Sequence, residues 1–149
     1  MLKTALIIAL VIHSVVGGCG EGWAEYGQWC ISVSPEPLDW FRAAGACSLW
    51  GAKLVQIEDQ GKQNFVVSQL RARGINDAWA GGSRRYSTST WLWIPSLKTI
   101  RGYTNWFNGE PNDSKSESGY GEQCLHLMLD KWNDRFCSKE MHFVCEKKA

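Results

Sequence analysis

Six cysteines constrain this chain of 149 residues more than any other feature. They are Cys19, Cys30, Cys47, Cys124, Cys137 and Cys145. An even count reads as a disulfide framework if the chain enters an oxidising compartment, and its first residues point that way. Lys3 precedes the apolar run of residues 5–12, and His13, Ser14, Gly17 and Gly18 follow. A basic start, a short apolar stretch and a small-residue end make a secretory signal peptide. Residues 1–18 are therefore expected to be cleaved near Gly17 or Gly18, and residues 19–149 to form one secreted, extracellular domain. The apolar run is shorter than the about 20 residues of a membrane span, and no later stretch is longer, so no membrane insertion is expected. Six cysteines allow fifteen pairings, among which spacing alone does not choose. None is left over for an interchain bridge, and no Cys-x-x-Cys spacing supports a zinc site. Three bridges would each stabilise the domain by roughly 2–4 kcal/mol.

Charge removes one class of partner. The chain carries 16 Lys and Arg against 15 Asp and Glu, and without Lys3 the balance is zero. A nucleic-acid footprint needs a clustered basic excess; Ser83-Arg84-Arg85 and the terminal Glu-Lys-Lys are too short to supply one. Catalysis has little support either. Outside the leader only His126 and His142 remain, and no nucleophile-elbow or metalloprotease motif occurs; no enzyme is expected.

The elements run helices first and strands later. "GWAEYGQWCIS" reads as a hairpin or a pair of short strands. From Pro37 to Trp50, Leu38, Phe41, Ala44, Cys47 and Leu49 fall near helical spacing, with Pro37 placed to start the helix. A second helical pattern covers Asp59 to Arg73, with Phe65, Val66, Gln69 and Leu70 on one face and Gly74 at its end. "TWLWIP" reads as a strand ended by Pro95, "CLHLMLD" alternates like a half-buried strand, and "HFVCEKK" reads as a last strand. Trp79, Trp91, Trp93 and Trp132 are expected in the core. Between Pro95 and Gln123 little is regular, and ordered loops of that length are often functional. The pattern is α+β with its site in the loops.

That loop and the residues after it are rich in oxygen donors. Glu110, Asn112 and Asp113 come first, Glu122 precedes Cys124, and Asn133 and Asp134 precede Cys137. Carboxylates and amide carbonyls are hard donors, and Ca²⁺ takes six to eight of them. Scarce histidine argues against zinc, and the twelve-residue EF-hand spacing is absent.

Taken together the residues resemble the C-type lectin-like domain. The likeness covers essentially the whole of residues 19–149, through "CGEGW…YGQWC", "FRAAGAC", "GAKLVQIED", "WAGG", "WLW", "GEPND", "EQCLHL", "WNDRFC" and "HFVCE". It implies a double-loop fold with two helices, two small antiparallel sheets and a long calcium-binding loop. It implies the pairings Cys19–Cys30, Cys47–Cys145 and Cys124–Cys137, the first marking the long form. It also implies a cis Glu110–Pro111 bond and a sugar-binding Ca²⁺ site on Glu110, Asn112, Glu122, Asn133 and Asp134. Glu110, Asn112, Glu122 and Asn133 would also hold the sugar, with Tyr120 as a stacking candidate. Glu-Pro-Asn resembles the mannose-type signature, which implies mannose, glucose, N-acetylglucosamine or fucose as ligand and recognition of microbial or cell-surface glycans in innate immunity.

The chain departs from the family at the auxiliary Ca²⁺ site. Asp113 and Glu122 remain as candidate ligands, but Ser83, Arg84, Arg85 and Ser87 stand where acids are expected, so one ion is expected. "SKSESGYG" over residues 114–121 makes the loop long, and Asn112-Asp113-Ser114 is a glycosylation sequon that overlaps a ligand. His126 is expected to be a satisfied or exposed strand histidine. A homo-oligomer would have to assemble through the domain surface. The rival reading is a module of this fold that binds protein or mineral surfaces without sugar.

Overall fold

The computed structural model describes residues 18–87, 89–115 and 119–149. The expected leader, apart from Gly18, lies outside the described residues. Among them the chain forms β1 (Ala24–Tyr26), β2 (Trp29–Val33), α1 (Trp40–Leu49), β3 (Lys53–Leu54), α2 (Gln60–Arg71), β4 (Asp77–Ser83), β5 (Leu92–Trp93), β6 (Lys98–Thr99), β7 (Cys124–Met128), β8 (Lys131–Arg135) and β9 (His142–Lys148).

Both helices begin at an aspartate. Asp39 caps α1 by accepting from the Arg42 N–H at 2.9 Å, and Asp59 caps α2 by accepting from the Lys62 N–H at 2.8 Å. Pro37 therefore does not start α1. Leu38 is used instead in a bridge to Met141, exchanging backbone bonds of 3.0 and 3.1 Å. The buried face of α1 is Trp40, Ala43 and Cys47, one position round from the expected one. Phe41 and Leu49 face solvent, Leu49 at 89 % exposure. Two anchors set this rotation: the Cys47–Cys145 bridge and the bond from Trp40 Nε1 to the Ala80 carbonyl at 2.9 Å. On α2 the face of Val66 and Leu70 is buried as read, joined by Lys62, Gln63 and Val67. Past its end Gly74 takes φ 67°, a conformation glycine adopts without steric cost.

β1, β2, β9 and β3 form one antiparallel group, and β4 with β7, β8, β5 and β6 forms another. The two antiparallel groups that the family resemblance implied are present, and β9 joins them into one continuous sheet. β9 spans seven residues and spends Val144–Lys148 on β2. Its first two residues then pair in parallel with β4, Ala78 against His142 and Trp79 against Phe143. β7 is buried from Cys124 to Leu127 and does not alternate, because both its faces are packed: Leu125 and Leu127 lie in one core cluster, Cys124 in the other beside Trp79, and the His126 ring meets Trp79 edge to face. β5 stops just short of the cis Ile94–Pro95 bond.

Trp79, Trp93 and Trp132 are fully buried, and Trp91 is half-buried against Trp106 with ring centres 5.0 Å apart. Three disulfides close the frame: Cys19–Cys30, Cys47–Cys145 and Cys124–Cys137. The last joins the start of β7 to the chain just beyond β8, so the two strands that carry Glu122, Asn133 and Asp134 toward the long loop are tied covalently.

Candidate functional site

The long loop is fastened to β8 before it reaches its acids. Asn105 and Phe107 exchange backbone bonds with Trp132, at 2.9 and 2.7 Å, and the Trp106 and Trp132 rings meet edge to face. The Glu110 N–H closes a turn on the Phe107 carbonyl at 2.9 Å. The Glu110–Pro111 bond is cis, as the family resemblance implied. Asp134 then grips the next two residues. Its Oδ1 accepts from the Asn112 N–H at 3.1 Å and its Oδ2 from the Asp113 N–H at 2.7 Å. Asp134 is wholly buried, so the loop is positioned by a carboxylate that is itself part of the β8 framework.

Glu110 and Asn112 face one another across the proline. The Asn112 amide donates through Nδ2 to Glu110 Oε1 at 2.9 Å, and its backbone N–H donates to Glu110 Oε2 at 3.0 Å. Asn112 Oδ1 accepts from the Ser114 N–H at 2.8 Å. Glu122 enters from the other side of the loop, with its N–H on the Ser114 carbonyl at 3.1 Å and its side chain almost entirely buried. Arg135 Nη1 stands 3.8 Å from Glu122 Oε1. Asn133 pairs with His126 across β7 and β8: its Nδ2 lies 3.1 Å from His126 Nε2. In that arrangement Nε2 accepts and the His126 proton sits on Nδ1, 3.7 Å from Asp77 Oδ1. Burial pushes the His126 pKa down to about 4, so the ring is neutral at neutral pH. It is buried, with Nε2 satisfied and Nδ1 without a hydrogen-bond partner.

Negative charge accumulates here without a full counter-charge. Burial raises the Glu110 pKa, and the hydrogen bond and charge of Asp134 raise it further. Burial also raises that of Glu122, as do Asp134, Glu110 and Asp113, against the pull of Arg135. The Asn133 carbonyl oxygen is buried with no partner, although buried polar atoms are almost always satisfied. Among the described residues no three acidic, His or Cys side chains converge into a ready metal cage. Glu110 is turned onto Asn112, and both Asp134 oxygens hold backbone amides. The donor types nonetheless fit a hard divalent cation. Three mutually repelling carboxylates and an orphan amide oxygen would all be relieved by one.

The neighbouring corner is already filled by the chain's own cations. Asp113, at φ 52°, takes Arg84 Nη2 and Lys115 Nζ on its Oδ2. Burial alone would raise its pKa, but Lys115 and Arg84 outweigh burial and hold it low. Gly121 packs so closely that a Cβ there would lie 1.9 Å from Asp113 Oδ1. Arg84 and Lys115 stand where a second cation would have to sit. Arg84, Lys115 and Arg135 were not expected as partners; the legible signal was that Ser83-Arg84-Arg85 replaces acids. Tyr120, the stacking candidate, stands exposed at the surface. It lines a groove with Phe41, Arg85, Phe136 and Lys139, in which none of the five calcium-ligand candidates takes part among the described residues.

The fold and these loops are those of a family of lectins and receptors. The family model of the Lectin C-type domain matches residues 36–147, and the chain belongs to that family. It is similar to C-type lectin domain family 10 member A of Homo sapiens, at 34 % identity over 130 residues, 86 % of this chain and 40 % of that protein. It spans about half the length of the curated relatives it matches: 40 %, 60 % and 52 % of three of them. The human scavenger receptor C-type lectin carbohydrate-recognition domain superimposes with a TM-score of 0.80 at 26 % identity, covering 89 % of this chain and 100 % of that one. A calcium-independent type II antifreeze protein, at 24 % identity, TM-score 0.76 and coverage of 89 % and 95 %, shares the fold.

Proposed function

We propose that this chain is a secreted lectin that binds mannose-type sugars through one Ca²⁺ held by Glu110, Asn112, Glu122, Asn133 and Asp134. The carrying observation is the pairing of Glu110 with Asn112 across Pro111, clamped to buried Asp134 next to the unpartnered carbonyl of Asn133. When bound, the ion supplies a Lewis-acidic anchor for two neighbouring sugar hydroxyls. The residues supply orientation. Each such hydroxyl keeps a proton to give and a lone pair to offer. Carboxylates only accept and amide NH₂ groups donate, so Glu110 and Glu122 take the protons while Asn112 and Asn133 give theirs. The Glu110–Asn112 and Asn133–His126 bonds are what the sugar would exchange for its own. The Glu-Pro-Asn order favours vicinal equatorial hydroxyls, by likeness to the mannose-type signature.

At roughly 0.3 kcal/mol per heavy atom, one monosaccharide reaches about millimolar affinity. Useful avidity on a microbial or cell-surface glycan would come from several sites acting together, hence from a homo-oligomer. The near-zero charge balance offers nucleic acid no footprint. A glycan array read with and without chelator tests the reading. Binding to mannose, glucose or N-acetylglucosamine that vanishes with chelator is expected, and binding that ignores chelator refutes the mechanism. A preference for galactose refutes the specificity alone. The rival reading, a protein- or mineral-binding module, requires function to survive joint replacement of Glu110 and Asn112 by alanine. Intact mass of the secreted protein must also show Asn112 free of glycan, because a glycan there would cover the site.

A further inference from the structure

The groove that holds Tyr120 has no role in the calcium site, yet it is equipped for a ligand. Its volume of about 560 Å³ lies within the about 300–1,000 Å³ usual for small-molecule sites. Its aromatic walls are Phe41, Tyr120 and Phe136, and its charged walls are Arg85 and Lys139. Large aromatics are normally covered; here Tyr120 is 73 % and Phe41 42 % exposed. The Arg85 guanidinium sits 5.2 Å from the centre of the Phe41 ring, which fixes a cation beside an open aromatic face. Both charged walls are basic, and neither has an ion-pair partner among the described residues. Two acids close in sequence to the lining residues, Asp39 and Glu140, are both paired to Arg42. Arg84 and Tyr86, the latter 57 % exposed, line an adjoining hollow that shares Arg85 and Gln123 with the groove.

Aromatic faces with negative quadrupoles suit the C–H faces of a sugar ring. Two cations with no ion-pair partner among the described residues favour an anion. A carboxylate is planar and is filled by one guanidinium fork, whereas a sulfate presents three oxygens in three directions, enough for Arg85, Lys139 and the exposed Ser138 hydroxyl together. We propose that this groove is a second saccharide subsite, specific for an O-sulfated sugar and independent of calcium. It uses none of the residues of the calcium site, so it stands or falls separately from the reading above.

The test is amide chemical-shift titration of the whole disulfide-bonded domain with a 6-O-sulfated N-acetylglucosamine, the neutral sugar and glucuronic acid, each with and without EDTA. The sulfated sugar should shift Tyr120, Gln123 and Ser138 amides equally with and without EDTA, and bind about tenfold more tightly than the neutral sugar. Its affinity should fall as salt rises. Arg85→Gln with Lys139→Gln should abolish that preference while leaving the melting temperature and any calcium-dependent mannose binding unchanged; both side chains are exposed, so the variant folds. Equal binding of sulfated and neutral sugar, loss of the groove shifts with EDTA, stronger binding of glucuronic acid, or survival of the preference in the double variant would each overturn the proposal. So would groove shifts given by an apolar peptide but not by the sulfated sugar.

Discussion

Two regions of the molecule treat their acids in opposite ways. In the body, Glu146 on β9 is 1 % exposed and meets Lys62, with Lys53 at 3.5 Å and the Gln56 N–H at 3.2 Å. At the start of α1, Asp39 meets Arg42. Glu146 has two cations and Asp39 shares Arg42 with Glu140, so each carboxylate there has a cation against it and the region is complete as folded. In the loop region, Glu110 and Asp134 accept from backbone amides, Glu122 is repelled by both, and one arginine, Arg135 at 3.8 Å from Glu122, is the counter-charge. Asp113 lies on the border and belongs with the first kind. Acids of the first kind stabilise the fold; acids of the second kind cost stability unless something positive arrives from outside.

The largest effect separates the two kinds directly. Glu146→Ala leaves the Lys62 ammonium buried without a partner and should cost roughly 3–5 kcal/mol, read from urea unfolding in chelator. Burial already lowers the Lys62 pKa, against the upward pull of Glu146, so the stranded lysine would shed its proton more easily. Glu122→Gln should do the reverse. In chelator its unfolding midpoint should equal or exceed the parent's, because the change removes a charge that Asp134, Glu110 and Asp113 repel. Its calcium affinity should fall about tenfold or more. A clear loss of stability in chelator would erase the distinction.

Asp39 gives a smaller, pH-dependent effect. Burial raises its pKa, but the bonds and charge of Arg42 outweigh burial and hold it below the ordinary 3.8. The sign follows: the folded state favours the carboxylate, so this stabilisation is present above about pH 4 and is lost as pH falls through the lowered value. Asp39→Ala should cost about 1 kcal/mol at pH 7 and flatten the decline of stability between pH 4 and 2, followed by thermal midpoints across that range. Smallest of all is Arg84→Gln, expected to cost about 0.2–1 kcal/mol and less in high salt. Parent protein should titrate with one Ca²⁺ per chain by calorimetry. Two ions in the parent would show that Arg84 and Lys115 do not close their corner.

Much of this was legible in the residues because local chemistry decided it. Asp59 precedes an apolar run and Gly74 ends it, whereas Pro37, two residues earlier, masks the cap at Asp39; the likeness of "GEPND" and "WNDRFC" to the C-type lectin pattern pointed to Glu110, Asn112 and Asp134 as neighbours. What was not legible was decided by distant partners. The α1 face turns on Cys145 and Ala80, which no local periodicity reveals. The parallel contact of β9 with β4 depends on where β9 runs out of β2 to pair with. β7 loses its solvent face because core clusters pack on both of its faces, Leu125 and Leu127 on one and Cys124 and His126 against Trp79 on the other. The position of Tyr120 follows from the return of the chain at Lys115 and Gly121, which pair as a bridge and turn the tyrosine toward Phe41.

The Cys47–Cys145 bond joins residues 98 apart and so encloses both helix α2 and the entire long loop. A protease that cut once after Arg84 or Lys115 would leave both fragments attached through it. Nicked and intact protein would migrate together until a reductant was added. Cuts in the long loop would thus build up in molecules of unaltered mass apart from one added water.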